Sequence, residues 1–490
     1  MVKACSRPRT PCPVQVGGES RSGKKILRRK ACRFESDLGH QFGKPPLFAE
    51  AAFFLLVALT SRPARNTRLR GVIARKIANL GGYVKVLSAN TGGNWLEPQV
   101  PPPPAPGEEP RPDAATQEAR RIVSDLFRCN NLIVLSGLGT SMCVAPHPGG
   151  GAPPTMKDLW ERVAVRVNGA AIAGVANFDQ VLATVGYVGR PNDIEALLSR
   201  CRLAEGFLAD QQRTLVSAFI KLAEQEIAQA TNFVWPNHSL PVHAEFLRRA
   251  ARRTNRKSRT KIFTTNYDRC FEEAGRQGRY VVIDGFSHTS PPTFDAVHFT
   301  YDIVRRSKES DTQDFIPNVF HLYKLHGSID WTRDETTGEI YKWHGTDKPL
   351  LIYPRNSKYE LAFEQPYLEM ISAFQAALRE PNTGLLIVGF GFNDNHLAEP
   401  IMSALRSNLS LKAVAVGPWL APWIQGEQNG PGEAEANRYL KRIKELANAG
   451  DARLALINCG FEDFIPYVPD LAAESDMEQH IERLRRTEQP

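Results

Sequence analysis

The segment from Asn131 to Ser141 has the sequence NLIVLSGLGTS. Its first half is a short apolar run with several branched residues, a composition typical of a buried parallel strand. Its second half places two glycines and three hydroxyl side chains directly after that run. Glycine at such a position permits a tight turn and a close approach of the backbone to a ligand. The segment therefore predicts a strand that ends in a candidate binding loop.

Short apolar runs that alternate with helical periodicity continue towards the C-terminus. The predicted strands are Asn131–Leu135, Lys261–Thr264, Tyr280–Asp284, Val319–Leu325, Leu385–Val388, Leu411–Val416 and Leu454–Asn458. The predicted helices include Ala114–Arg128, Met156–Val167, Asp193–Arg202, Glu205–Ala230 and Pro241–Arg253. This alternation predicts an α/β fold, namely a Rossmann-like, doubly wound parallel sheet with a largely helical insertion at about residues 168–257.

Residues 1–98 differ from the rest of the chain in charge. They contain 18 of the 61 lysines and arginines but 5 of the 53 acidic residues, so their net charge is +13 and that of the remainder is −5. We therefore expect no direct nucleic-acid binding except through this basic N-terminal segment, for which a solvated tail is the alternative. Residues 99–113 contain the run PPPPAP and form a predicted linker to a catalytic domain at 114–490.

Cysteine usage and hydropathy argue against several classes of protein. The eight cysteines are scattered and form no C-x-x-C pair, which argues against a disulfide framework or a structural zinc site. The most apolar run, Ala51–Leu59, has nine residues, whereas a membrane span needs roughly 18–20. We expect a cytoplasmic protein with reduced thiols, no membrane association and no metal.

Four polar or glycine-rich elements each follow a predicted strand. They are Gly137–Ser141 (GLGTS), Thr264–Asp268 (TTNYD), Lys324–Ser328 (KLHGS) and Gly389–Asp394 (GFGFND). Ligands in open α/β sheets bind beyond the carboxyl ends of the strands, so these elements predict one site. Each also has a structural explanation when taken singly, such as a strand-to-helix turn or a helix N-cap by Asn266 or Asp268.

His326 is the candidate general base. A histidine titrates near neutral pH, and this one combines a strand end with an adjacent glycine. The other histidines, His396 among them, lack that combination. A purely structural histidine is the alternative.

In their order along the chain, the four elements resemble those of the sirtuin superfamily of NAD-binding proteins. The likeness covers roughly residues 115–420 and is closest to divergent bacterial sirtuin-like domains of antiphage defence. It implies NAD as the substrate and a catalytic set of Asn266, His326 and Asp268. The implied NAD contacts are Gly137, Gly139, Thr140, Ser141, Thr265, Gly327, Ser328, Gly389, Phe390 and Asn393. The segment Asn192–Leu198 resembles an acidic helix of the defence-type proteins, and we interpret it as structural.

The sequence also departs from this family. The two C-x-x-C pairs of the zinc module usual in protein-deacylating sirtuins are missing, which argues against acyl-lysine binding. The resemblance then favours an NAD hydrolase that releases nicotinamide and ADP-ribose and acts in antiphage defence by NAD depletion. The alternatives are an NAD-dependent protein deacylase and a non-catalytic NAD or ADP-ribose sensor. The resemblance further implies a homo-oligomer and a partner such as a HerA-type ATPase or an Argonaute-like protein.

Overall fold

The structure, a computed structural model, describes most of the chain after residue 83. The described ranges are 84–99, 112–146, 151–169, 177–189, 191–254, 257–306, 313–346, 348–352, 365–421 and 437–470. They all lie within one unit of the chain, Val72–Pro490. Ala51–Leu59, nearly all of the basic segment 1–98 and most of the predicted linker 99–113 fall outside these residues.

Strands of the described residues form one large sheet and three small ones. Their bounds are β1 (Lys85–Ser88), β2 (Asn131–Ser136), β3 (Lys261–Thr264), β4 (Val281–Ile283), β5 (Val304–Arg306), β6 (Gln313–Phe315), β7 (Val319–Lys324), β8 (Gly327–Ser328), β9 (Trp331–Arg333), β10 (Ile340–Lys342), β11 (Leu350–Leu351), β12 (Thr383–Val388), β13 (Lys412–Val416) and β14 (Leu454–Asn458). The large sheet has eight strands in the order β1-β14-β13-β12-β2-β3-β7-β4. Every neighbouring pair in it is parallel except β1 with β14. The predicted α/β, Rossmann-like sheet with a helical insertion is confirmed.

Helices cover both faces of this sheet. Their bounds are α1 (Ala114–Phe127), α2 (Met156–Gly169), α3 (Phe178–Thr184), α4 (Ile194–Glu205), α5 (Asp210–Thr231), α6 (Pro241–Ala250), α7 (Cys270–Gln277), α8 (Tyr367–Arg379), α9 (Asn395–Ser407), α10 (Arg438–Asn448) and α11 (Phe461–Phe464). The helix predicted over Glu205–Ala230 begins later, because Gly206, a poor helix former, follows the last residue of α4. None of the described helices is long and apolar enough to span a bilayer.

The strand residues alternate between two apolar cores. On β2, Leu132 and Val134 face a core shared with α1, α6 and α7, whereas Ile133 and Leu135 face a core shared with α8, α9 and α10. Side chains of a strand point alternately to the two faces, and both faces are covered here. This burial on both sides explains why the strands are continuous apolar runs in the sequence.

Strand β1 extends the sheet into the segment that the sequence analysis left outside the domain. It pairs antiparallel with β14, with Lys85 opposite Asn458 and Ser88 opposite Ala455. The strand has only four residues and lies in a basic stretch without clear periodicity. Because of these two properties, sequence patterns do not predict this strand. The sheet therefore has an antiparallel edge and is mixed rather than wholly parallel.

A third apolar cluster lies within the helical insertion between β2 and β3. It joins buried residues of α2, α3, α4 and α5, and Phe219 of α5 is fully buried in it. Three residues from outside the insertion also belong to it, namely Tyr267 after β3, Ile329 after β8 and Leu351 on β11. The insertion is thereby packed against the edge of the sheet at which the candidate site lies. It begins with α2, earlier than the predicted residue 168.

Candidate functional site

The four sequence elements begin at aligned strand ends. Ser136 at the end of β2 is paired with Val388 on β12 and with Thr264 on β3, and Thr264 is paired in turn with Lys324 on β7. The four strands β12, β2, β3 and β7 are consecutive neighbours in the sheet. The loops that follow them therefore leave the sheet side by side.

The loop after β2 packs directly against the loop after β12. The Gly137 N–H donates to the Val388 carbonyl at 3.0 Å, and the Gly139 N–H donates to the Gly389 carbonyl at 3.0 Å. A Cβ atom on Gly139 would lie 2.6 Å from the Gly389 Cα, and Gly389 itself has φ +65°. The close approach of two backbones accounts for these glycines. A pyrophosphate at this loop needs other donors, since both N–H groups are used within the protein.

Asn266 connects the loop after β3 to the loop after β2. Its Nδ2 donates to the Gly137 carbonyl at 3.0 Å and to the Ser141 hydroxyl at 2.9 Å. The Ser141 hydroxyl donates in turn to Oδ2 of Asp268 at 2.6 Å. The other Asp268 oxygen accepts from the Cys270 N–H at 3.0 Å, at the first residue of α7. Asp268 thus serves the helix start that the sequence suggested, whereas Asn266 faces the glycine-rich loop.

The remaining candidates beside Asn266 are bound into the protein. The Thr140 hydroxyl lies 2.8 Å from that of Ser136 and donates to the Gly137 carbonyl at 2.9 Å. The Thr265 N–H donates to the Ser136 carbonyl at 3.0 Å. Thr140 and Ser141 are both buried. These contacts fix the shape of the loop, and the hydroxyls of Thr140 and Ser141 both have hydrogen-bond partners inside the protein.

Lys324 lies beneath the loop that carries Asn266 and Asp268. Its side chain is 2% exposed, and its Nζ donates to the carbonyls of Tyr267, at 3.3 Å, and Asp268. It also forms an ion pair with Glu272 at 3.0 Å. In the sequence, this lysine stands out only as a neighbour of His326. In the structure, it supports the loop after β3.

His326, after β7, contacts a second histidine. Its Nε2 atom lies 3.1 Å from Nε2 of His396 in the first turn of α9, and His326 is 2% exposed. Burial, together with the charge of His396, holds the pKa of His326 well below its usual value, and burial lowers the pKa of His396 to about 4. Both rings are therefore neutral at pH 7. A neutral imidazole has a free nitrogen lone pair and can accept a proton.

Two carboxylates complete this end of the site. Asp394, next to α9, has a carboxylate oxygen that forms a group with one ring nitrogen of each histidine, and these three atoms all lie within 4.8 Å of one another. Burial and then the charge of Asp193 raise the pKa of Asp394 to about 6. Glu195 on α4 accepts a hydrogen bond from the Tyr267 hydroxyl at 2.7 Å, and burial and then Asp394 raise its pKa to about 8.

Asp394 is the last residue of the predicted element Gly389–Asp394, whereas His396 and Glu195 lie outside the four predicted elements. His396 follows no strand directly, and the helix containing Glu195 is one that we interpret from the sequence as structural. The spacing of Asp394 and His396, two residues apart after a glycine-rich strand end, was the available signal.

Neighbouring Asn393 is exposed, whereas Ser328 and Phe390 are buried. The Ser328 hydroxyl donates to Asp330 at 2.6 Å.

A comparison with known protein families found a match for part of the chain. Residues 260–441 match the model of the SIR2-like domain. This SIR2-like region contains Asn266, Asp268 and His326 as well as the loop after β12, and the glycine-rich loop at Gly137–Ser141 precedes it. The match supports a sirtuin-like relationship for this region and an NAD-related activity in general. A comparison with curated proteins found no match.

Proposed function

We propose that the protein is an NAD hydrolase that cleaves the nicotinamide–ribose bond and releases nicotinamide and ADP-ribose. The observation that carries the proposal is the alignment of four motif-bearing strand ends, with Asn266 tied to the glycine-rich loop and His326 buried two strands away from it. The SIR2-like region supports NAD as the substrate. The edge of the sheet where these loops meet is the usual ligand position in this class of fold.

Cleavage of the nicotinamide–ribose bond needs little acid catalysis. When the bond between ribose C1′ and the nicotinamide nitrogen breaks, its electron pair stays on that nitrogen, and the cationic ring leaves as neutral nicotinamide. Water then forms the new bond to C1′, and one of its protons must be removed. Catalysis therefore depends on orientation, on placement of water and on a base. We assign the proton to Nε2 of His326, from which it passes to solvent.

Asn266 is suited to hold the water or a ribose hydroxyl. Its amide nitrogen donates both hydrogens to the protein, to Gly137 and Ser141, which fixes the orientation of the amide. Within the described residues, its Oδ1 atom accepts no hydrogen bond from the protein. This oxygen is therefore the group that Asn266 offers to a ligand. Asp268 acts on the site through Ser141, because both of its oxygens are bound inside the protein.

The test is the release of nicotinamide from NAD by the purified full-length protein. We expect Asn266→Ala and His326→Ala to lower turnover by at least about 100-fold, the usual contribution of a positioned acid–base group. His288→Ala, at an exposed histidine, is the matched control and should retain wild-type turnover. Wild-type rates in both site variants would contradict the assignment.

The product distinguishes the alternatives. Formation of O-acetyl-ADP-ribose from an acetyl-lysine peptide would identify a deacylase, and NAD binding without nicotinamide release under any condition would favour a sensor. We also propose, from the resemblance, that the protein acts in antiphage defence as a homo-oligomer with a HerA-type ATPase or an Argonaute-like partner. The native mass of the protein, alone and with a co-expressed neighbouring gene product, tests the assembly.

A further inference from the structure

We propose that His326, His396 and Asp394 form a binding site for a divalent transition-metal ion of the Zn²⁺ type, and that the bound ion switches the enzyme off. The binding site is independent of the proposed NAD cleavage, whereas the inhibitory effect rests on it. No local sequence pattern predicts the whole site, because its three ligands come from two distant parts of the chain, the loop after β7 and the start of α9.

The distances suit a metal ion without a large rearrangement. The two Nε2 atoms are 3.1 Å apart, and an Asp394 carboxylate oxygen lies within 4.8 Å of a ring nitrogen of each histidine. Two nitrogens bound tetrahedrally to zinc at about 2.0–2.1 Å lie roughly 3.4 Å apart. A small opening of the histidine pair brings the two nitrogens to that distance, and the Asp394 oxygen completes the set by moving towards them. In the absence of an ion, one ring can donate a hydrogen bond to the other.

The ligand types select the kind of ion. Imidazole nitrogens suit Zn²⁺, Co²⁺ and Ni²⁺, whereas Mg²⁺ and Ca²⁺ prefer sites made of oxygen atoms. Three protein ligands leave a fourth position for water. His326 follows β7 and its carbonyl accepts from the Ile352 N–H at 2.9 Å, and the other two ligands lie at the start of α9. The ligands are thus carried by ordered elements.

The local charge also favours a cation. The charge of Asp193 raises the pKa of Asp394, so a second carboxylate acts on this ligand. A divalent cation would offset the repulsion between these two carboxylates. It would take the Nε2 lone pair of His326 as well. That lone pair is the one the proposed hydrolysis uses to remove a proton from water, so metal binding and catalysis exclude each other.

Metal binding can be measured without any enzymatic assay. The full-length protein, freed of metal by a chelator that is then removed, is titrated with ZnCl₂ by calorimetry and with CoCl₂ by visible absorption. We expect one ion per chain and the d–d bands of Co²⁺ bound by nitrogen and oxygen, without the intense near-ultraviolet band of a cobalt–thiolate site. That spectral difference separates this site from the eight cysteines of the chain.

Variants decide whether these residues bind the ion. His396→Ala and Asp394→Asn should weaken Zn²⁺ binding at least tenfold, whereas His288→Ala should leave it unchanged. His396→Gln, which keeps a polar side chain of similar size, repeats the test, and thermal unfolding verifies the fold of each variant. Absence of Zn²⁺ binding in the wild type, or equal binding in the site variants and the control, would overturn the proposal.

A second measurement addresses the inhibition. Zn²⁺ should suppress nicotinamide release by the wild type and by His288→Ala over the same concentration range in which it binds. Binding at the predicted residues together with undiminished NAD cleavage would overturn the inhibitory role alone. Binding at these residues by a protein that never cleaves NAD would leave the metal site standing and remove the proposed function.

Discussion

At the scale of single residues, Ser141 joins two candidate site residues through one hydroxyl group. It accepts from Asn266 at 2.9 Å and donates to Asp268 at 2.6 Å. Ser141→Ala leaves a buried carboxylate oxygen without this hydrogen bond and removes one of the two contacts that orient the Asn266 amide, the other being the Gly137 carbonyl. We expect a loss of about 1–3 kcal/mol in the free energy of unfolding in urea and slower nicotinamide release.

Ser403→Ala on the exposed face of α9 is the control for this substitution, and it should change stability by less than about 0.5 kcal/mol. If Ser141→Ala were as stable and as active as that control, the hydrogen-bond chain from Asn266 to Asp268 would have no role in the site.

Sequence patterns identify some residues of the site better than others. Asn266 and His326 follow strands that are recognisable as apolar runs, so their position at the edge of the sheet is predictable. The contact between His326 and His396 depends on where the start of α9 lies relative to the loop after β7, and no local pattern encodes that distance. Glu195 contacts Tyr267 from the insertion, and the two residues are about 70 positions apart in the chain.

At the scale of elements, Lys324 couples β7 to the loop after β3. Lys324→Met removes a buried cation from two carbonyls and leaves Glu272 without its ion pair. We expect a loss of about 2–4 kcal/mol in the free energy of unfolding, because an uncompensated charge then remains in a largely buried position. Lys324→Met combined with Glu272→Gln should recover part of it.

The exposed pair of Lys157 and Glu161, at 3.6 Å, provides the comparison for this ion pair. Lys157→Met should cost less than about 0.5 kcal/mol, as expected for a pair on a helix surface. Equal losses of stability in Lys324→Met and Lys157→Met would show that burial does not make Lys324 contribute more to the free energy of unfolding than an exposed lysine does.

Helix α4 brings a carboxyl group to the site in its protonated form. Burial and Asp394 raise the pKa of Glu195 to about 8, above the ordinary value of 4.5. The folded protein therefore holds this proton more tightly than the unfolded chain, and the resulting stability is fully present below about pH 4.5 and is lost as pH rises from there to about 8. Glu195→Gln mimics the protonated acid and can still accept from Tyr267. It should be more stable than the wild type at pH 9, by about 1–2 kcal/mol since partial exposure reduces the full effect, and similar at pH 5.

Urea unfolding at the two pH values measures this difference. Glu161→Gln, at an exposed position of α2, should show no comparable change between pH 5 and pH 9. A constant difference between Glu195→Gln and the wild type at both pH values would mean that Glu195 does not titrate on unfolding as described.

At the scale of the whole molecule, the parallel strands of the sheet were predictable, whereas the edge strand β1 and the start of the insertion were not. The central strands are buried on both faces, so their sequences are continuous apolar runs that stand out from their surroundings. Strand β1 is short and lies at the edge, where pairing with β14 rather than hydrophobicity defines it. The insertion begins with α2 because that helix packs on α5, a tertiary contact that the local sequence does not reveal.

This division of the molecule makes a prediction about the insertion. Its apolar cluster includes Tyr267, the residue between Asn266 and Asp268, so loosening the cluster should disturb the site as well as the fold. Phe219→Leu in the insertion and Phe464→Leu in the core on one face of the sheet each shorten a fully buried phenylalanine. Both should lose about 1–2 kcal/mol of stability to urea. At a temperature where both variants are folded, nicotinamide release should fall in Phe219→Leu and stay near the wild-type rate in Phe464→Leu. Equal rates in the two variants would mean that the insertion stabilises the fold without shaping the site.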